Sequence, residues 1–86
     1  MNIIYSSKFA REYKRLSPKS KLSAERQEKI FRNNPFDLKL NTHKLKGRLR
    51  DFFSFSISYR YRIIFEFSED KDTVYFHSVG DHDIYQ

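Results

Sequence analysis

Two histidines, His43 and His82, stand far apart on either side of Arg62, which sits in the aromatic run Tyr59-Arg60-Tyr61-Arg62-Ile63-Ile64-Phe65. An imidazole titrates near neutrality, so one can remove a proton while the other supplies one. A guanidinium can clamp a phosphate through two parallel hydrogen bonds and offset charge that builds on phosphorus. Together these three groups could cleave RNA without a metal. Each has a plainer reading. Arg62 could be a surface arginine paired with Glu66, and His82 an exposed histidine close to the end of the chain. His77, in the middle of an expected strand, reads as structural.

Arg62 falls in an alternating segment that places Tyr59, Tyr61, Ile63, Phe65 and Phe67 on one face and Arg60, Arg62, Ile64 and Glu66 on the other. The preceding segment alternates as clearly, with Phe53, Phe55 and Ile57 against Ser54, Ser56 and Ser58. The turn between them lacks Gly and Asn, so the sequence does not locate it. Ser68 to Asp72 makes a better turn, and Thr73 to Val79 a last strand. From Lys44 the pattern again alternates: Lys44, Lys46, Arg48 and Arg50 share one parity, Leu45 and Leu49 the other. An extended segment there would present a cationic edge. His43 then faces inward if the strand includes it, or stands at the rim if the strand begins after it.

Upstream, Ile3-Ile4-Tyr5 reads as a first strand. Ser6 or Ser7 caps a helix to about Leu16, with Phe9, Tyr13 and Leu16 at helical spacing. Ser17-Pro18 starts a second helix to about Arg32, which has a thin apolar face of Leu22, Ala24, Ile30 and Phe31. Asn33-Asn34-Pro35 ends it, and residues 36–42 connect. The expected fold is α+β: a small antiparallel sheet with an N-terminal strand and a two-helix pair packed on it.

At 86 residues the chain makes one domain, spanning 1–86. So short a chain buries roughly 60–65% of its unfolded surface, which favours a shallow site over a deep pocket. Phe and Tyr must supply the core, because aliphatic residues are few and aromatics make up 17%. There are no cysteines, which excludes disulfides and thiolate metal sites and fits a reducing cytoplasm. Three histidines without close ligand spacing do not form a zinc set, and no glycine-rich phosphate loop is present. We expect no signal peptide and no membrane span. Net charge is +6, but residues 1–50 carry 14 Lys/Arg against 4 Asp/Glu, and the remainder carries 3 against 7. Such a basic half attracts polyanions, nucleic acid first.

In their order and spacing, Asn34-Pro35-Phe36, Thr42-His43-Lys44-Leu45-Lys46-Gly47, Tyr61-Arg62-Ile63-Ile64-Phe65 and Gly80-Asp81-His82-Asp83-Ile84-Tyr85 resemble the RelE/ParE superfamily of bacterial toxin–antitoxin toxins, in its YafQ/YoeB-like branch. The resemblance covers nearly the whole chain. It implies a cytoplasmic endoribonuclease that cuts messenger RNA on the ribosome and is neutralised by a cognate antitoxin, with no small-molecule cofactor. It further implies His82 as the C-terminal catalytic histidine, Arg62 as phosphate ligand and His43 as the upstream base, with the two imidazole roles interchangeable. Tyr85 would orient a base, while Lys44, Lys46, Arg48, Arg50 and Arg60 would line the RNA path. The chain departs from the YafQ pattern near Ile57 and Tyr61, where that branch carries a histidine and an aspartate. The same resemblance admits a non-catalytic, ParE-like toxin that binds DNA gyrase, or a relative that binds only antitoxin or RNA.

Overall fold

The computed structural model describes residues 1–81, so the expected roles of His82 and Tyr85 lie outside the described residues. Strand β1 (Asn2–Tyr5) leads into helices α1 (Ser7–Lys14) and α2 (Pro18–Asn33). Four more strands follow: β2 (His43–Lys44), β3 (Phe53–Ser56), β4 (Arg62–Phe67) and β5 (Thr73–Gly80). They form one five-stranded sheet in the order β1-β5-β4-β3-β2. The strands from β2 to β5 make the expected antiparallel meander, and β1 pairs parallel to β5, so the sheet is mixed. The architecture is α+β.

Local chemistry explains the element boundaries. Ser6 settles the first cap: its Oγ accepts from the Phe9 N–H at 2.9 Å and donates to the His77 carbonyl at 2.9 Å. One hydroxyl thus starts α1 and ties it to β5. Ser17 caps α2 by accepting from the Ser20 N–H, with Pro18 in the first turn. At the β4–β5 turn, Ser68 Oγ donates to Asp70 Oδ1 at 2.6 Å and the Asp72 N–H donates to the same oxygen at 3.0 Å. These bonds, the Ser68 hydroxyl first, hold the Asp70 carboxyl below its ordinary range. Beyond Tyr5, Glu12 takes over the free edge of β5, accepting from Ser78 Oγ at 2.8 Å and from the Val79 N–H at 3.1 Å.

Phenylalanines supply the largest side chains of the core, but Ala24, Leu40, Ile57, Ile63, Val74 and Val79 share it and no described tyrosine is buried, so the core is less aromatic than the composition suggests. Phe31 of α2 has no exposed surface. It stacks on Phe55 at 4.7 Å and presents its edges to Phe65 at 4.9 Å and Phe76 at 5.4 Å. Phe9 reaches Phe76 from α1, at 5.6 Å. Leu22, expected on the apolar face of α2, instead points to solvent at 62% exposure, so that face is thinner still.

Two further expectations fail. Residues 44–50 are not a strand: β2 stops at Lys44, and a single 3₁₀ turn covers Gly47–Leu49. Gly47 enters it at φ +66°, a conformation that suits glycine and ends the extended run. Residues 36–42 connect α2 to β2 as expected and contain a 3₁₀ turn at Leu38–Leu40, which ends on Asn41 in the left-handed region. Tyr59 does not join the apolar face of β4, because the chain reverses over 57–60 and leaves that ring fully exposed. The Ile57 N–H donates to the Tyr61 carbonyl at 3.0 Å and Ser58 Oγ accepts from the Tyr61 N–H, closing a turn without glycine.

A chain this long carries about 4–13 kcal/mol of stability. Phe31→Ala should therefore remove about 3–5 kcal/mol of it. Leu38→Ser, at a residue 95% exposed, should change it by no more than about 0.5 kcal/mol. Urea denaturation of the two variants would check the contrast.

Candidate functional site

The sheet has two unlike faces. Ile63, Phe65, Phe55, Val74 and Phe76 point toward the helices and form the core. Register fixes what the opposite face carries: His43 lies across from Ser54, Ser54 from Ile64, and Ser56 from Arg62, which faces Gly80 on its other side. Since Ser54 and Ser56 are two apart on β3, His43 and Arg62 share that face. They are separated by two strand spacings and one two-residue step, which puts their Cα atoms about 12 Å apart. A phosphodiester fits between side chains projecting from such positions. Ser54 and Ile64, both buried, lie between them.

Arg62 is the electrostatic centre of this face. Its Nη1 is buried and has no hydrogen-bond partner among the described residues. The carboxylate expected to neutralise it, Glu66, is engaged elsewhere: Glu66 Oε1 accepts from His77 Nε2 at 2.9 Å. A buried guanidinium donor left unsatisfied costs about 1–3 kcal/mol. His43 is the first residue of β2 and stands exposed, so neither expected alternative holds as stated: the strand includes it, yet it does not face inward. Its Nδ1 lies 3.2 Å from the Asn41 carbonyl oxygen. A carbonyl can only accept, so this contact places the proton on Nδ1 and leaves Nε2 of the neutral ring as the basic nitrogen. The left-handed Asn41 is what turns that carbonyl toward the ring. Gln27 braces the same region from α2, its amide donating to the Lys39 carbonyl at 3.1 Å and the Ser56 carbonyl at 3.0 Å.

Not every expected RNA contact joins this face. Lys44 pairs with Phe53, so its Cβ is on the helix side of the sheet. The loss of the extended segment removes the shared parity of Lys46, Arg48 and Arg50. The 3₁₀ turn instead draws these three exposed cations into about 8 Å of rise. Arg60 is exposed at the β3–β4 turn, where Nη2 lies 3.6 Å from Asp81 Oδ2 and the guanidinium sits over the Tyr61 ring at 5.6 Å. Its charge is partly answered within the chain.

Sequence reasoning missed the pair Glu66–His77. Strict alternation from Val79 would turn His77 toward the core beside Phe65. A β-bulge intervenes, with Ile64 opposite Ser78 but Phe65 opposite Phe76, leaving His77 as the extra residue. It therefore joins Glu66, and its ring meets the edge of Phe52 at 4.8 Å and 89°. The signal was present: apolar residues at 74, 76 and 79 skip a beat that a regular strand would keep.

A hollow of about 430 Å³ lies on the other side of the sheet, lined by Tyr5, Phe9, Tyr13, Ala24, Glu25 and Glu28 among others. Burial and then the Glu28 carboxylate, which accepts from the Tyr5 hydroxyl at 2.9 Å, hold Tyr5 above its ordinary pKa. Burial followed by Glu25 and Glu28 does the same for Tyr13. Among the described residues no cluster of three or more His, Asp or Glu is placed to hold a metal, and no helix is long and apolar enough to cross a membrane.

The fold with this two-faced sheet is shared with solved structures of bacterial toxins. YafQ from E. coli strain BL21(DE3) superposes with a TM-score of 0.79 at 15% identity, covering 98% of this chain and 96% of its own. A YoeB/ParE toxin from Agrobacterium tumefaciens gives 0.81 at 15% identity, covering 95% and 99%. The toxin–antitoxin complex RelBE2 from Mycobacterium tuberculosis gives 0.72 at 18% identity, covering 94% and 96%. No family profile and no curated protein sequence matches the chain.

If Arg62 is held ready for an anion at the expense of packing, Arg62→Met should leave stability unchanged or raise it by about 1 kcal/mol. The same variant should weaken binding of single-stranded RNA at least tenfold. Thermal denaturation and fluorescence anisotropy on one preparation would separate the two effects.

Proposed function

We propose that this chain is the toxin of a type II toxin–antitoxin pair and acts in the cytoplasm as a metal-independent endoribonuclease, cutting messenger RNA on the ribosome. The observation that carries the reading is the buried Nη1 of Arg62, unpartnered among the described residues, on the same face as a histidine whose Nε2 is left basic. A surface arginine with a purely structural role would have found a carboxylate. The fold supports the toxin assignment, and the RelBE2 complex among its structural neighbours supports a cognate antitoxin.

In this mechanism His43 Nε2 takes the proton of a ribose 2′-OH, and the resulting oxygen attacks the adjacent phosphorus. Arg62 offsets the charge on the phosphoryl oxygens as the P–O5′ bond breaks. His82, brought from the C-terminal segment, protonates the departing 5′-oxygen. The products end in a 2′,3′-cyclic phosphate or a 3′-phosphate. The cations of Lys46, Arg48 and Arg50 attract the strand, so binding weakens steeply with salt. A small exposed site imposes little geometry on a flexible RNA, and the ribosomal decoding site supplies the in-line alignment that the protein alone lacks.

Primer extension on a defined messenger RNA during cell-free translation tests this account. The wild type should give discrete cuts that require ribosomes. His82→Ala should reduce them by about 10²–10⁴-fold, the usual contribution of a general acid. Stripping transition metal from the toxin with EDTA beforehand should leave cutting unchanged. Activity lost on stripping and restored by one metal would overturn the metal-independent mechanism. A wild type that makes no cuts yet arrests growth would point to the ParE-like reading, in which the chain binds gyrase.

A further inference from the structure

The bulge in β5 raises a question that the cleavage mechanism leaves unanswered. It turns a histidine out of the core and onto the face of Arg62, only to tie it to a carboxylate. Glu66 and His77 are 34% and 36% exposed, so both can be reached from solvent. The ring is held on two sides, by Glu66 at 2.9 Å and by the edge of Phe52 at 4.8 Å. Because the carboxylate accepts from Nε2–H, Nδ1 of the neutral ring keeps its lone pair, and Glu66 Oε2 is a second acceptor.

The charge of this pair decides what it can bind. A carboxylate repels phosphate and so cannot belong to the backbone path that Arg62 begins. Two adjacent acceptors suit a donor instead, and an unstacked RNA base offers exocyclic amino groups and, in guanine and uracil, an imino N–H. Adenine, cytosine and guanine carry an amino group; uracil has only its N3–H, set between two carbonyl oxygens that a carboxylate repels. The spacing is also suitable. His77 sits opposite the Ile64–Phe65 step, two to three residues along β4 from Arg62, or about 7–10 Å. That is comparable with the step between successive nucleotides of an extended strand.

Building on the RNA-cleaving reading above, we propose that Glu66 and His77 form a base-reading subsite. It accepts a hydrogen bond from the amino group of a base next to the phosphate held by Arg62, and it discriminates against uracil at that position. Phe52 forms its wall. The preference should be about tenfold or more, since one well-placed hydrogen-bonding pair gives that much selectivity between bases.

Glu66→Gln supplies the test, because it replaces an acceptor with an amide that can also donate. His77→Phe, which keeps an aromatic ring beside Phe52, is the second variant. Cut sites mapped on a messenger RNA library in cell-free translation should show uracil disfavoured at one fixed position beside the cleaved bond. Glu66→Gln should shift that position toward uracil, and His77→Phe should flatten it to within twofold. Misfolding would lower total cutting without changing base preference. If the wild type cuts and both variants keep its preference, the subsite is wrong and the nuclease stands. If the wild type makes no cuts, the nuclease reading fails, and anisotropy with uncleavable 2′-O-methyl RNA pentamers varied at the central base decides the subsite alone. A preference against uracil that Glu66→Gln reverses would uphold it; equal binding of all four bases, or none, would overturn it.

Discussion

Phe31 is where the single-faced character of this sheet originates. Its ring lies against Phe55, Phe65 and Phe76, residues of three adjacent strands, and none of its surface reaches solvent. An 86-residue chain has apolar material for one such cluster and little more. Once these rings are drawn to the helix side, alternation obliges the opposite side to take what remains: serines, Ile64, Glu66 and Arg62. That side therefore need not serve packing, and it can keep a guanidinium whose Nη1 has no partner among the described residues. The packing of one face is thus the condition for chemistry on the other.

Two irregularities then convert a polar sheet face into a site. The bulge between β4 and β5 re-aims His77 and captures Glu66, which prevents Glu66 from neutralising Arg62. The left-handed Asn41 directs its carbonyl at His43 and so selects the tautomer with a basic Nε2. The bulge also serves the core, since it lets Val74 and Phe76 face the helices together with Val79. Both act by fixing which atoms of a titratable group stay available. The Glu12 carboxylate has a plainly structural part by comparison, closing the stretch of β5 that β1 leaves unpaired.

Much of this was legible in the sequence. The alternation of Phe53, Phe55 and Ile57 with serines, the helical spacing of Phe9 and Tyr13, and the Ser17-Pro18 start all reflect local chemistry, and each appears where the pattern puts it. Arg62 was placed on the correct face by parity alone. Parity failed where the backbone leaves its period. Lys46, Arg48 and Arg50 alternate as a strand would, but Gly47 adopts positive φ and winds them into a turn. Tyr59 fits the period of β4 yet falls in a reversal without Gly or Asn, held by the Ile57–Tyr61 backbone bond and the Ser58 hydroxyl. His77 was read as structural from its place in the middle of a strand, although the broken alternation of Val74, Phe76 and Val79 already marks the bulge.

The central claim is that Arg62 awaits a phosphate. Side-chain NMR of ¹⁵N-arginine-labelled protein, titrated with an uncleavable 2′-deoxy-substituted RNA, tests it most directly. The account predicts that the Arg62 guanidinium resonances shift first and saturably, ahead of Arg11, Arg26 and Arg32 on the helices. An Arg62 that stays unmoved while the helix arginines respond would place the nucleic acid on the other face and contradict the account.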